Sequence, residues 1–270
     1  MTTVFHYSLQ EVVPYINWLY FYHAWGVSAH PEQRRQLFEE ASAMLTEMQS
    51  RYRTHAVVAL FEANSDGDDL LLGQMRIPML RQQHVAQSAD KPNLCLADFV
   101  RPLQKGQKDT VGAFATTVDT TLESDFRADD YLRMMAQTLA DRLAEATAEK
   151  LHETVRRQLW GYAPDEALTM SELHSERFQG IRPAVGYPSL PDTSLNFLLQ
   201  ELLDMKQIGI RLTESGAMKP HASVSGFMLS HPQARHFSVG SISEEQLRDY
   251  ARRRGLPVEI MRRFLAANLK

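Results

Sequence analysis

The chain holds a single cysteine, Cys95, among 270 residues. No intramolecular disulfide framework and no multi-cysteine zinc or iron–sulfur centre can form within it. It has no surplus of positive charge. The 29 Lys and Arg residues stand against 33 Asp and Glu, for a net charge of −4, and a general nucleic-acid binder would show the opposite balance. No run of about 18 apolar residues occurs, so no membrane span is expected. The opening MTTVFHYSLQEVVPYINW lacks a basic stretch followed by an apolar one. A secretory signal is therefore not expected, and the cytoplasm is the expected compartment.

Several motifs are missing too. No two glycines have G-x-G spacing, and there is no Walker loop, which removes the common phosphate-cradling signatures. His152-Glu153 lacks the second histidine of a zincin helix, and no G-x-S-x-G elbow is present.

What is present is a mixture of helix and strand signals. Residues 31–50 read as a helix, with Pro31 suited to the first turn and Leu37, Phe38, Ala41, Leu45 and Met48 at helical spacing. His55–Phe61 and Leu70–Ile77 read as strands joined by the polar turn Asn64–Asp69, and Val111–Thr117 as a further strand. Over 129–159, Met135, Leu139, Leu143, Thr147, Leu151, Val155 and Leu159 form one stripe, and Ala136, Ala140, Ala144 and Ala148 a second beside it. Asp129 and Asp130 at one end and Arg156 and Arg157 at the other suit the helix dipole, and Gly161 marks the stop. Such a rod would be roughly 45 Å long and would form a spine.

Further on, Phe197–Gln207 reads as a helix, and Ile210–Glu214, Ala222–Leu229 and His236–Val239 as strands. Ser243–Arg253 and Leu256–Leu269 read as helices. The stretches near 83–93, 101–110 and 161–193 read as loops inside one body, so residues 1–270 are expected to be one domain. Without regular βαβ alternation, the pattern favours an α+β fold.

Three places carry possible chemistry. Glu149-x-x-His152, with Glu145 a turn earlier, puts two carboxylates and an imidazole on one helix face. A di-iron helix bundle would need a second Glu-x-x-His, which is missing. The other reading is a polar face partnered by Arg142 and Arg156. In 179–193, Pro183, Pro188 and Pro191 stiffen the backbone while Gly180 and Gly186 allow turns, so Arg182 and Tyr187 project from a rigid frame. An arginine fork there suits a carboxylate, though a plain connector has the same composition. In Ser223-Val224-Ser225-Gly226, the glycine fits either a close approach by another backbone or ligand, or a bulge.

Taken together and in order, several segments resemble one family. They are Leu80-Arg81-Gln82-Gln83, Cys95–Val100, Gly112–Ala115, Asp141–Ala146, Trp160–Ala163, Gln179–Pro188, Leu212–Ser215, Ser223–Gly226, Ser230-His231-Pro232 and Asp249-Tyr250-Ala251-x-Arg253. The chain resembles the activation (reactivation) domain of cobalamin-dependent methionine synthase from about Tyr15 onward. The resemblance implies a twisted antiparallel sheet flanked by helices, binding of S-adenosylmethionine, and support for reductive remethylation of inactive cob(II)alamin. The implied partners are cobalamin-binding methionine synthase modules and a flavodoxin-like electron donor. The folate, homocysteine and cobalamin modules are absent and the chain starts Met-Thr-Thr, so a free-standing subunit acting in trans is expected, with an expressed fragment as the alternative. On its own it is expected to turn nothing over, because the cobalt lies on the partner.

By that resemblance, Arg182 holds the ligand's carboxylate, Ala184 offers backbone contacts, and Gly186 and Tyr187 complete the loop. Glu145 lies near the ligand's positive charge. Three places depart from the family pattern, one of them Pro188-Ser189-Leu190-Pro191-Asp192-Thr193 where the family has Pro-Ala-Cys-Pro-x-His. Tyr15-Ile16-Asn17-Trp18 has Asn17 where the family has a ligand-contacting aspartate, and His236-Phe237 stands for a Tyr-Tyr pair. Loss of the charge at Asn17 and of a phenol at His236 gives the alternative expectation, a corrinoid-docking module with weakened ligand binding.

Overall fold

The computed structural model describes residues 1–83 and 92–269. The core of the 83–93 loop therefore lies outside the described residues. Along the chain run β1 (Thr3–Ser8), α1 (Leu9–Val12), α2 (Trp18–Ala24), α3 (Pro31–Met48), β2 (Arg53–Asp66), β3 (Asp69–Leu72), β4 (Met75–Pro78) and β5 (Asp109–Val118). They are followed by α4 (Leu122–Asp125), α5 (Asp130–Thr154), α6 (Met170–His174), α7 (Leu195–Leu203), β6 (Arg211–Leu212), β7 (Met218–Lys219), β8 (Ser223–Met228), α8 (Glu244–Arg254) and α9 (Val258–Phe264). The expected α+β class with an antiparallel sheet is what the chain forms.

Six strands make the main sheet in the order β4-β3-β2-β5-β8, with β1 also on β2. Strand β2 is long enough to serve two neighbours along one edge. Its first half pairs β1, its last residues pair β3, and its other edge pairs β5 over residues 54–63. Alternation along β2 sends Ala56 and Val58 to one face and Val57 and Ala59 to the other. The first face is covered by α2, α3 and α5, the second by α7 and the Cys95–Val100 segment. A sheet with apolar residues on both faces must be covered on both, which accounts for the two layers. Helices α8 and α9 pack a smaller apolar cluster with Leu80 and Val239.

Helix α5 is the spine anticipated from the two stripes. Asp129 caps it by accepting from Leu132 N at 2.9 Å. All four alanines of the second stripe are buried, and Thr116 on β5 donates to the Ala144 carbonyl at 3.0 Å. Such closeness needs a small side chain. After Thr154 the rod widens into a π turn over Val155–Leu159, closed by Trp160 N on Val155 O at 2.9 Å. The wider turn shifts the buried face by one position. Leu159, expected on the apolar stripe, is exposed, whereas Arg156, expected as a solvated partner, is fully buried.

Other boundaries also differ from the sequence expectation. Leu70–Ile77 is two short strands, because Gly73 turns the chain at φ +59°. His236–Val239 is irregular, its Val239 N bonding to Pro188 O at 2.8 Å and not to a sheet. Helix α7 stops at Asp204 in the left-handed region, and the last helix is shorter than 256–269. Ile210–Glu214 contributes only two ladder residues.

Candidate functional site

The loop at 179–193 owes its position to β8. Ile181 exchanges hydrogen bonds with Leu229, Phe227 N donates to Pro183 O at 3.0 Å, and Val185 N to Ser225 O at 2.9 Å. The loop thus lies against the outer edge of the sheet, facing Gly226 through Ala184. A Cβ on Gly226 would stand 2.1 Å from Pro183 O and 2.9 Å from Ala184 Cα. Of the two readings of Gly226, the close approach of a backbone is the one that holds. Gly186 turns the loop at φ +89° and donates to Leu190 O at 2.9 Å.

Between this loop, α5, α2 and the segment after β8 lies a cavity of about 630 Å³. Asn17, Glu145, Arg182, Ala184, Tyr187, His236 and Phe237 all line it. These residues are spread over 220 positions of sequence from Asn17 to Phe237, and only the tertiary fold joins them. Gly186 does not line the cavity; it shapes the turn that presents Tyr187. Tyr15, Tyr20, Arg142, Glu149, His174 and Glu176 also face it, and the sequence resemblance singled out none of these as a ligand contact. Glu176 has φ 53°, a left-handed conformation that a glutamate adopts at a cost.

The polar groups of the site engage one another. Arg182 Nη2 donates to Glu149 Oε2 at 2.9 Å, and both side chains are largely buried. Burial works against the guanidinium's charge, but the Glu149, Glu145 and Glu176 carboxylates hold its pKa above the ordinary value. The Tyr187 hydroxyl donates to Glu145 Oε1. Burial, with that carboxylate beside it, pushes the phenol's pKa up, so it stays a donor. Asn17 caps α2, its Oδ1 accepting from Leu19 N at 3.2 Å. His236 Nε2 lies 3.8 Å from Glu176 Oε1. Burial lowers its pKa, with Glu176 and Arg182 acting in opposite senses, so the ring favours its neutral form.

Glu149 and His152 both turn to Arg182 rather than to each other or to Glu145. Among the described residues no group of three or more His, Cys, Asp or Glu side chains is placed to hold a metal ion. Also among them, no helix is long and apolar enough to cross a membrane.

The chain is thus an α+β domain with an aromatic-walled, charge-lined cavity at the edge of its antiparallel sheet, of the size small-molecule sites have. Residues 8–255 match the family described as vitamin B12 dependent methionine synthase, activation domain. One solved structure, "Crystal Structure of the MetH Reactivation Domain bound to AdoHcy", is 39% identical, with a TM-score of 0.92. The match covers 100% of this chain and 90% of that one. The chain belongs to the methionine synthase activation-domain family.

Proposed function

We propose that the cavity binds S-adenosylmethionine and presents it to a cobalamin carried by methionine synthase modules, in the cytoplasm. The observation that carries this reading is the convergence of Arg182 with Glu145, Tyr187 and Phe237 in one cavity, together with a relative of the same fold bound to AdoHcy. The volume lies within the range usual for nucleoside-sized ligands.

Charge supports the reading. Glu145, Glu149 and Glu176 oppose Arg142 and Arg182 on the cavity wall, so apart from its histidines the lining carries three negative charges against two positive. S-adenosylmethionine carries one carboxylate, one ammonium and one sulfonium, for a net +1. Arg182 would take the carboxylate through its unused N–H donors. Tyr187 and Phe237 offer ring faces to the adenine, and Ala184 lies on the loop backbone beside them. The neutral His236 adds no positive charge against the sulfonium.

Cobalamin bound on the partner, with an electron from a flavodoxin-like donor, would supply the acceptor for the methyl group, and loss of that group would leave neutral S-adenosylhomocysteine. This chain's own residues bind and orient the donor, and they hold its positive charge against carboxylates.

One observation favours weaker binding than the family pattern suggests, as in a docking module. Asn17 Oδ1 is already used by the α2 cap. Its second lone pair is a neutral acceptor and Nδ2 is a donor, so neither supplies the negative charge that would pair the ligand's ammonium.

Calorimetry tests the proposal. The intact chain is expected to bind S-adenosylmethionine. Arg182→Ala is expected to weaken binding about 10- to 100-fold, as for the loss of hydrogen bonds between charged groups. No heat of binding in the intact chain, or equal affinity in Arg182→Ala, rejects it. Remethylation assayed with separately purified cobalamin modules and a flavodoxin tests the partnership in trans.

A further inference from the structure

His152 is fully buried on α5, and its Nδ1 lies 3.3 Å from Arg182 Nη1. A guanidinium has donors and no acceptor. The Nδ1 lone pair must therefore be unprotonated, and the imidazole is the Nε2–H tautomer. That Nε2 is buried with no hydrogen-bond partner among the described residues.

The ring's setting keeps it neutral. Burial, then the charges of Arg156 and Arg182 and a smaller effect from His236, hold its pKa well below the ordinary 6.5. Phe178 meets the imidazole edge-on at 5.0 Å, and the Arg156 guanidinium sits 4.0 Å from the Phe178 ring centroid. Glu166 pins Arg156 through Nε at 2.8 Å and Nη2 at 2.5 Å. Glu149, one turn before His152, completes the charged groups around it. As a packing element this is a poor choice. A leucine would fill the space without an orphaned N–H. The arrangement makes sense if the ring has a task.

We propose that His152 is a positioning residue of the ligand site: its unprotonated Nδ1 and the Glu149 carboxylate together fix the Arg182 guanidinium plane. The inference rests on reading Arg182 as the carboxylate holder. Of its five N–H donors, one on Nη1 goes to His152 and one on Nη2 to Glu149. Three remain for an incoming carboxylate. A neutral acceptor serves here where a second carboxylate would not. It directs the fork without cancelling the positive charge that the ligand's carboxylate seeks.

The first test needs no ligand. In the 15N-labelled chain, the His152 ring is expected to show the Nε2–H tautomer and to keep it into the acid range where exposed histidines titrate. An Nδ1–H tautomer, or ordinary titration, overturns the inference. The second test measures S-adenosylmethionine affinity at neutral pH. His152→Leu is expected to bind ~10-fold or more weakly, the effect of one hydrogen bond to a charged group. His152→Asn, whose Oδ1 stands near the place of Nδ1, is expected to recover most of that loss. Wild-type affinity in His152→Leu, or no recovery in a folded His152→Asn, overturns it. If the leucine variant does not fold, the tautomer signature decides. Failure of the unaltered chain to bind rejects the functional reading of the cavity, while the tautomer signature still shows whether His152 orients Arg182.

Discussion

Pro183 and Gly226 meet so closely that the carbonyl oxygen of the first occupies the space a side chain on the second would need, at 2.1 Å from an ideal Cβ. This contact seats the Arg182 loop on the edge of β8 and so fixes one wall of the cavity.

Gly226→Ala is accordingly expected to push the loop away. Overpacking of this kind costs ~1–3 kcal/mol or more. Ligand affinity should fall with it, because Arg182 lies one residue from Pro183. Denaturant unfolding and calorimetry on the same variant check both effects. An alanine variant of unchanged stability would show that the loop is not pinned by this contact.

Asn17→Asp is expected to tighten S-adenosylmethionine binding by a few-fold to tenfold. The α2 cap survives, since aspartate caps as well as asparagine. The second carboxylate oxygen then supplies the acceptor that Nδ2 cannot. Titration calorimetry at low and moderate salt measures it, and a gain that shrinks with salt identifies its ionic origin. Unchanged or weaker binding would mean that the aspartate's role is not preserved in this chain.

Glu166→Gln should destabilise the protein without touching the cavity wall. The Arg156–Glu166 pair is buried, with side-chain exposures of 0% and 8%. Removing one charge leaves the other uncompensated, at a cost of about 3–5 kcal/mol. A thermal or urea unfolding midpoint close to that of the unaltered chain would contradict this.

Stability should fall on the acid side of neutrality. His152 and His236 both have pKa values lowered on folding, chiefly by burial. Between the folded and unfolded values, the unfolded chain binds more protons, so stability rises with pH. The contribution is complete above the ordinary 6.5 and is lost as pH falls below it. Each histidine adds a slope of at most ~1.4 kcal/mol per pH unit. Urea unfolding between neutral pH and mild acid measures the slope, which should be shallower in His152→Asn. An unchanged slope would remove His152 as its source.

The elements with long periodic signals were legible from sequence. The stripes of α5, the period of α3 and the Asp129 cap fixed those helices, because their burial repeats along one face. The first 24 residues carry β1, α1 and α2, which no periodicity revealed, since each is too short to show a repeat. His236–Val239 has strand composition yet forms no ladder: the edge of β8 is taken by the loop through Pro183, and Val239 N bonds to Pro188 O. The candidate site was legible as residue identities through family resemblance. Glu176 was not placed beside Arg142 and Glu149, since nothing in the spacing sets it against their helix face.

Sequence alone determined the class of fold, the spine helix and the stiff arginine-bearing loop, for these depend on local backbone preference and on which faces must be buried. Only the tertiary structure decided what Arg182 touches, which arginine of the spine goes inside, and which ionisable groups share a cavity. Those outcomes depend on a π turn that rotates a helix face and on a backbone contact between residues 43 positions apart, Pro183 and Gly226. Pairing of charges across such distances in the chain is set by packing geometry, and that has no signature in linear order.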